Sequence, residues 1–334
     1  MADLRTSFIG IDLKNPLVVG SSPFSKNLEL AKLLEDQGAA AIVMYSLFEE
    51  ETVHESNELD YYLNRGTESY PEALTYIPEP TQITSNTDRY LEQIRLLKGA
   101  LSIPVVASLN GFTPRGWSVL ASQIEAEGVD ALELNLYTVV TDEDTDPNTI
   151  IDDYVAMVKN VCESTSIPVC VKISPYFTNL PRFLCRAQEA GADGFVMFNR
   201  FLQPDIDIDN EKVTLKTRLS SSADLSLAAS WIALMSPKLA TDFAACNGVH
   251  TAQDIVKAVM AGASAVTMVS ELLQHGPKAV SKVLRDLNEW MDKNEFGSIP
   301  RLKGVMSQNR VKDPLAFERG NYIKALRSYN ENVI

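Results

Sequence analysis

Short apolar runs alternate with segments of helical periodicity along almost the whole chain. Eight of these runs are rich in Val, Ile, Leu and Ala, which is typical of strands buried on both faces of a parallel sheet. The predicted strands are Pro16–Ser22, Ala40–Ser46, Ile103–Leu109, Ala131–Tyr137, Ile167–Ser174, Gly194–Asn199, Asp242–Asn247 and Ala265–Ser270.

Each predicted strand is followed by a segment whose apolar residues recur every three or four positions. Eight strands that each precede a helix predict an α/β fold of the TIM (β/α)8 barrel type, as a single domain over residues 1–334. A doubly wound open sheet is the alternative that the pattern leaves open. The predicted helices are Asn27–Gln37, Thr87–Leu101, Trp117–Glu127, Asn148–Thr165, Leu180–Ala190, Ser226–Ser236, Thr251–Ala261 and Glu271–Lys293.

Two segments and the C-terminal tail depart from this alternation. Phe48–Thr84, after the second strand, is long and polar, and a loop of this length usually covers a functional site or a partner surface. Arg200–Ala223 contains two short alternating stretches, which predict a hairpin inserted at the top face of the barrel. Residues 300–334 form a C-terminal extension with a last helix predicted near Leu315–Tyr329.

The charge and the rare residue types narrow the function classes. A formal net charge of −14 argues against broad nucleic-acid binding and against adsorption on anionic membranes. The N-terminus lacks the apolar core of a signal peptide, and no apolar run is long enough to span a membrane. Four unpaired cysteine positions without a CxxC spacing predict reduced thiols, hence a cytoplasmic protein. Three histidines without HxH or HExxH spacing predict no metal site.

One lysine lies inside an apolar strand. Lys172 comes near the end of the predicted strand Ile167–Ser174. Burying an ammonium group costs several kcal/mol unless an anion, a polar ligand or water compensates it. A cation at the C-terminal end of a barrel strand lies where TIM barrels carry their chemistry. We therefore expect Lys172 to belong to the functional site.

Several motifs, taken in order, resemble the dihydroorotate dehydrogenase family, and most closely its soluble class 1 branch. The first strand ends in small residues, and Glu133–Leu136 resembles the start of the family's ELNLSCPN motif. Val171–Phe177 is similar to VKLPPYF, and Gly248 followed by Gln253-Asp254 resembles the closing GGI and QD pattern. The resemblance runs from about Asn15 to about Trp290.

The resemblance implies a barrel that binds FMN and oxidises dihydroorotate to orotate in pyrimidine biosynthesis. In that family a base removes one proton from the substrate while a hydride passes to the flavin. The resemblance places Lys172 against the flavin, where a fixed cation stabilises the reduced, anionic ring. It places Asn135 and Asn199 on flavin and substrate, because an amide offers a donor and an acceptor. The further cofactor-binding positions are Gly20, Ser21, Ser46, Ser226, Gly248 and Ser270.

The chain departs from the family at several of these positions. Thr138 stands where the catalytic cysteine is expected and is the candidate base, although a hydroxyl needs a proton relay for that role. Val140 replaces an asparagine that binds substrate, and Met44 stands where a lysine is expected. In the phosphate-binding loops, small residues are replaced by Asn247 and Val269, and the acidic Glu271 follows directly.

The sequence therefore predicts an FMN-dependent oxidoreductase acting on dihydroorotate or a related compound. The resemblance also implies a homodimer, and it leaves open an electron-transfer partner that reoxidises the flavin. Two alternatives remain at this point. One is a non-catalytic homologue that binds flavin or a metabolite. The other is a Schiff-base aldolase on the same barrel, with Lys172 as the covalent nucleophile.

Overall fold

The computed structural model describes residues 2–49, 85–111, 117–200, 204–214, 218–318 and 326–327. From residue 50 onward, the loop predicted at Phe48–Thr84 lies outside the described residues. Most of the helix predicted near Leu315–Tyr329 also lies outside them, and its described start is a 3-10 helix at Pro314–Phe317.

Eight parallel strands form a closed ring. Neighbouring strands pair around the whole ring, and no strand edge of the ring is left open. The predicted TIM barrel is thereby confirmed, and the open sheet is wrong. In order around the barrel, the strands are β3 (Leu17–Val19), β4 (Ala41–Val43), β6 (Val105–Gly111), β7 (Ala131–Leu136), β8 (Val169–Ile173), β9 (Gly194–Met197), β12 (Asp242–Cys246) and β13 (Ala265–Met268).

Helices cover the outside of the ring. Several begin at a side chain that caps the first turn, and Ser85 and Thr251 form reciprocal capping boxes with the residue three positions later. The main helices are α1 (Leu28–Asp36), α2 (Asn86–Ala100), α3 (Trp117–Ala126), α4 (Pro147–Ser164), α5 (Leu180–Glu189), α6 (Leu225–Met235), α7 (Ala252–Ala261), α8 (Ser270–His275), α9 (Lys278–Lys293) and α10 (Ile299–Leu302).

The predicted helix Glu271–Lys293 is wrong as a single helix. The segment Glu271–Lys293 forms two helices, α8 and α9, instead of one. Gly276 has a φ of 74° and Pro277 follows it. A left-handed glycine ends a helix, and proline cannot donate the next backbone hydrogen bond, so the chain must restart.

Three short pairings add to the barrel. The hairpin predicted within Arg200–Ala223 is present as antiparallel β10 (Asp205–Asp207) and β11 (Lys212–Thr214). A second hairpin, β1 (Thr6–Phe8) with β2 (Ile11–Leu13), was not predicted. The two-residue strand β5 (Leu47–Phe48) extends the ring beside β6.

The unpredicted β1–β2 hairpin closes the lower end of the barrel. Its apolar side chains pack against the small inward-facing residues of the ring, including Val18, Ala41 and Val106. Gly194 has no room for a larger side chain, because an added Cβ would lie 2.5 Å from Ile9 Cγ2. Since this end is filled with apolar atoms, only the opposite end can admit a polar ligand.

The barrel interior changes from apolar to polar toward its upper end. On β8, Cys170 belongs to the lower apolar cluster, and Lys172 lies two residues further up on the same face. On β7, Glu133 and Asn135 follow Ala131 in the same way. The period of two therefore brings these polar side chains to the C-terminal mouth of the barrel.

A half-buried thiol on the outer layer, Cys162, gives a prediction for stability at alkaline pH. Burial, reinforced by the charge of Asp193, raises the pKa of Cys162 to about 12. Above about pH 8.5 the unfolded thiol ionises while the folded one keeps its proton. The free energy of unfolding should therefore fall with rising pH, by about 1.4 kcal/mol per pH unit for this group. Urea unfolding between pH 8 and 11 should show a shallower decline for Cys162→Ala than for wild type. Cys185→Ala, which removes an exposed thiol, is the matched control and should follow wild type.

Candidate active site

A cleft of about 940 Å³ opens at the mouth of the barrel, where the parallel strands end. Its floor is made by the upper ends of β3, β4, β6, β7, β8 and β9, and one wall is made by the first two turns of α2. Five of the predicted site residues line it, namely Ser21, Ser46, Asn135, Lys172 and Asn199.

The floor of the cleft is one connected hydrogen-bond network. The Ser46 hydroxyl lies 3.2 Å from that of Ser21 and 2.9 Å from that of Ser108. The Asn135 amide donates to Ser108 Oγ at 3.0 Å, and its carbonyl accepts from the Asn199 amide at 3.4 Å. Buried polar groups that are all paired hold one another in fixed positions, so the floor is preorganised.

Lys172 is paired with an acid that the sequence analysis did not select. Its Nζ lies 3.4 Å from Glu133 Oε1, and the exposed fraction is 7% for Lys172 and 1% for Glu133. The same carboxylate oxygen accepts a hydrogen bond from Ser108 Oγ at 3.4 Å. The pair therefore joins the lysine to the polar floor.

This pairing fixes the charge of the lysine. Burial alone would lower the pKa of Lys172, but the Glu133 carboxylate outweighs it and holds that pKa above its ordinary value. The pairing therefore favours the charged form of Lys172 at the cleft. A Schiff-base lysine must act as a neutral amine, and its pKa is lowered for that purpose. This geometry disfavours the aldolase alternative.

Tyr90 on α2 positions Ser108 from outside the barrel. Its hydroxyl accepts from Ser108 N at 2.7 Å and donates to Ser108 O at 3.1 Å, and the whole side chain is buried. Burial raises the pKa of Tyr90 well above its ordinary value, so the phenol stays neutral.

Replacing Tyr90 with Phe should lower the free energy of unfolding by about 2–3 kcal/mol. The substitution leaves the backbone N–H and C=O of Ser108 buried without this partner. Urea unfolding of Tyr90→Phe and wild type measures the difference. A loss below about 0.5 kcal/mol would show that these two hydrogen bonds do not support the strand.

A second cavity of about 180 Å³ continues from the cleft toward β12 and β13. Ser21, Lys172, Asn199 and Arg200 line both cavities, so the two cavities adjoin. The predicted residues Gly248 and Ser270 line this second cavity. Gly20 lies beside it, and an added Cβ there would approach Val269 Cγ2 to 2.8 Å.

Polar side chains around this second cavity are also bonded to one another. The Ser220 hydroxyl lies 3.1 Å from His250 Nε2, and His250 Nδ1 lies 3.0 Å from Glu271 Oε2. Gly248 N donates to Ser220 Oγ at 3.4 Å, and Ser220 N donates to Ser270 Oγ at 3.0 Å. Glu271, the acid that follows Ser270, is therefore paired with His250 and does not face the cavity unpaired.

Thr138 and Ser226 differ from the other predicted residues. Thr138 is exposed in the loop after β7, where its hydroxyl and its backbone are in hydrogen-bonding contact with the Tyr154 phenol. Tyr137, its neighbour, is the residue that lines the cleft. Ser226 is exposed on the first turn of α6, outside the residues that line either cavity.

The cleft is cationic although the chain is acidic. Lys26, Arg89 and Arg200 line it together with Lys172, and no carboxylate occurs among its described lining residues. Lys26 Nζ lies 4.5 Å from the centre of the Tyr45 ring, a cation–π contact. Met44, which replaces the expected lysine, is fully buried and does not line the cleft.

Sequence reasoning missed Glu133, Ser220, His250 and the cations on the wall. A signal existed for Glu133, because an acid and a base occur within apolar runs on consecutive strands, and such charges are buried only in pairs. Ser220 and His250 lie 30 residues apart in loops, and no local pattern joins them. Lys26 and Arg89 come from different elements, which follow the neighbouring strands β3 and β4, and both reach the cleft.

Neither a metal-binding cluster nor a membrane-spanning helix occurs in the described residues, 2–49, 85–111, 117–200, 204–214, 218–318 and 326–327. They contain no group of three or more His, Cys, Asp or Glu side chains placed to hold a metal ion. They also contain no helix with the length and apolarity needed to cross a bilayer.

The family model for dihydroorotate dehydrogenase matches residues 63–291, about two thirds of the chain. This chain belongs to the dihydroorotate dehydrogenase family. The family predicted from the motifs is therefore confirmed. The matched region includes the floor residues Asn135, Lys172 and Asn199, whereas Ser21 and Ser46 lie before it.

Curated relatives match the chain over nearly its full length. A protein of Thermoplasma acidophilum is 28% identical over 317 residues, which covers 91% of this chain and 99% of the relative. Proteins of Pyrococcus abyssi and Bacillus cereus are 25% and 26% identical, with 90% and 91% of this chain covered and 98% and 97% of the relatives. All three are named as the catalytic subunit of dihydroorotate dehydrogenase B (NAD(+)).

Proposed function

We propose that this protein is an FMN-dependent oxidoreductase that oxidises a CH–CH bond in dihydroorotate or a related acidic compound. The observation that carries the proposal is the buried Lys172, paired with Glu133, on the floor of a large cleft at the barrel mouth. The family membership and the names of the relatives support the same reaction type.

The dimensions and lining of the site fit FMN. The larger cavity has room for a three-ring flavin, and the smaller one extends toward the loops after the last two strands, where TIM barrels bind phosphate. Thr267 Oγ1 is buried beside the smaller cavity and has no hydrogen-bond partner in the described residues. A buried hydroxyl of this kind normally has a partner, so a polar ligand would satisfy it.

When bound, FMN would supply a hydride acceptor. Lys172 would contribute a fixed positive charge beside the ring, in a site where water does not screen it fully. Asn135 and Asn199 would orient flavin and substrate through their amides, which the floor network already holds in place. Ser21, Ser46 and Gly20 would form the surface against which the ring lies.

Thr138 remains the candidate base in this proposal. Burial raises the pKa of Tyr154, so the phenol bonded to Thr138 stays neutral and cannot itself act as the base. Tyr154 would fix the direction of the Thr138 hydroxyl. Because Thr138 is exposed, its hydroxyl would release its own proton to water as it takes one from the substrate.

The acidic group of the substrate would contact the wall cations Lys26 and Arg89. Replacing both, with Lys26→Met and Arg89→Leu, should raise the half-saturating concentration of dihydroorotate about tenfold, because two cations that face the cleft are removed. Steady-state or stopped-flow titration measures this. The control pair Lys257→Met and Arg182→Leu removes the same charges from α7 and α5 and should leave the constant unchanged. If the half-saturating concentration rises equally in both double variants, a specific contact of the substrate with Lys26 and Arg89 is contradicted.

The relatives' names also bear on partners. A catalytic subunit works with at least one other subunit, and the NAD(+) in those names indicates the acceptor of those enzymes. We propose that this chain likewise passes electrons to a partner protein, acts as a homodimer and functions in the cytoplasm.

The test is anaerobic mixing of the FMN-loaded protein with dihydroorotate. Loss of the oxidised-flavin absorbance is expected with dihydroorotate and not with dihydrouracil, which lacks the carboxylate. Bound FMN that keeps its absorbance with dihydroorotate would contradict the proposed reaction and favour the non-catalytic alternative.

A further inference from the structure

We propose that the substrate of this cleft is a dicarboxylate, with one carboxylate bound by Lys26 and Arg89 and the other bound by Arg200. The inference rests on the proposed function, because it names the class of compound that is oxidised beside the flavin. Dihydroorotate carries one carboxylate, which the wall cations Lys26 and Arg89 suffice to bind. Arg200 is a further cation that lines the same cleft.

Arg200 reaches the cleft from the side opposite the wall cations. It directly follows the floor residue Asn199, in the loop after β9. Lys26 ends a 3-10 helix, Pro23–Lys26, after β3, and Arg89 lies on α2, the first long helix after β4. Around the ring, β9 is the fourth strand from β4 in either direction. In a barrel of eight strands this places Arg200 across the mouth from Arg89.

Arg200 has no acidic partner in the part of the chain that the structure describes. The ion pairs of those residues include Arg186 and Arg218 but not Arg200, which is half-buried. Asp224 lines a neighbouring cavity of about 230 Å³ together with Arg200, but its Oδ2 accepts from Ser221 N at 2.7 Å and from Ser221 Oγ at 3.1 Å. Charged side chains that leave bulk solvent are normally paired, so an anionic ligand would supply the missing partner.

The surroundings of Arg200 suit a carboxylate. It borders the cleft and both smaller cavities, so it lies where the three spaces meet. A guanidinium presents a planar fork of N–H donors that matches the two oxygens of a carboxylate. The neighbouring floor residues Asn135 and Asn199 offer amide donors, and no carboxylate among the described lining residues of the cleft repels an anion.

The balance of charge in the cleft favours two carboxylates over one. Of the four cations that line it, Lys172 is neutralised by Glu133, which leaves Lys26, Arg89 and Arg200. A single carboxylate bound at the wall would leave Arg200 uncompensated on the other side. A cleft lined by cations on both sides concentrates ligands with several negative charges, even though the chain as a whole has a net charge of −14.

The experiment is isothermal titration calorimetry of the FMN-loaded protein with succinate, glutarate, adipate and pimelate. Butyrate, valerate, hexanoate and heptanoate are the controls, because they have the same chain lengths and one carboxylate. The best dicarboxylate should bind about tenfold more tightly than its matched monocarboxylate. The advantage should peak at one chain length, because the two binding groups are a fixed distance apart. An equal advantage at every length that disappears at high salt would indicate non-specific attraction and overturn the inference.

Replacing Arg200 with Leu should remove this advantage, with a loss of about tenfold in dicarboxylate affinity. The dissociation constant of FMN and the half-saturating concentration of dihydroorotate should not change, which also shows that the variant folds. Arg200→Lys retains the charge without the planar fork and should give an intermediate affinity. Arg182→Leu removes the same charge from an exposed position on α5 and should behave as wild type.

The same titrations separate the other roles that Arg200 could have. Weaker FMN binding by Arg200→Leu would show that the guanidinium holds the cofactor, and a higher half-saturating concentration of dihydroorotate would show that it binds a single carboxylate. Either result, or an unchanged dicarboxylate affinity, would overturn the inference. A protein that binds no FMN would instead contradict the proposed function.

Discussion

Replacing Lys172 with Met and Glu133 with Leu together should slow flavin reduction by about 10²–10³-fold at saturating substrate. The double substitution removes the fixed cation at the cleft floor without leaving either partner buried and unpaired. The cation acts on charge that develops during hydride transfer, so the rate constant should change more than the substrate affinity does. Anaerobic stopped-flow reduction of the FMN-loaded protein measures both.

An exposed ion pair provides the control for this double substitution. Lys282→Met with Asp286→Leu removes a pair of opposite charges on α9, where the two groups lie 2.9 Å apart and outside both cavities. That variant should reduce its flavin at the wild-type rate. A loss below about threefold in the Lys172 and Glu133 double variant would contradict the electrostatic role of Lys172.

Replacing Glu133 alone with Leu should lower the free energy of unfolding by about 3–5 kcal/mol. Lys172 would remain 7% exposed and lose its only carboxylate within the described residues. The carboxylate that outweighs burial would then be gone, and the pKa of Lys172 would fall. Urea unfolding of the single and double variants measures the cost.

The double variant distinguishes an unpaired charge from a damaged core. Met and Leu fill the same space without a charge, so the Lys172→Met and Glu133→Leu double variant should recover most of the stability that Glu133→Leu loses. If the double variant is as unstable as the single one, the loss comes from packing and not from the uncompensated ammonium.

The barrel was predictable because the signal repeats. Each of the eight strands is a short apolar run before a helical segment, and closure follows from having eight such units. The β1–β2 hairpin was not predictable, because its three-residue strands are half-polar and are ordered mainly by packing against the barrel floor. The break between α8 and α9 did carry a sequence signal, because a Gly-Pro pair such as Gly276-Pro277 ends helices. The prediction nevertheless continued one helix across it.

The floor of the candidate site was largely predictable, and its connections were not. Lys172, Asn135 and Asn199 stand out as polar residues at the ends of apolar strands, and all three line the cleft. Their partners depend on strand register. Asn135 lies opposite Lys172, so Glu133, two residues earlier on β7, lies one layer further down inside the barrel. Register across a closed barrel is set by the whole ring and cannot be read from one strand.

For the second cavity, too, single residues could be predicted from the sequence but the contacts between them could not. Gly248 and Ser270 were predicted from loop positions and do border it. Ser220, the residue they both contact, lies in the loop after the hairpin insertion, far from either in sequence. Ser226, chosen from the same region, is on the outside of α6 because helical rotation turns it away from the cavity.

The most direct test of the account is titration of the purified protein with FMN, followed by flavin fluorescence and absorbance. The account predicts saturable binding of one FMN per chain, with a spectrum perturbed by the charge of Lys172. That spectral perturbation should be absent in the Lys172→Met and Glu133→Leu variant. A colourless protein that leaves the fluorescence of added FMN unchanged would contradict it.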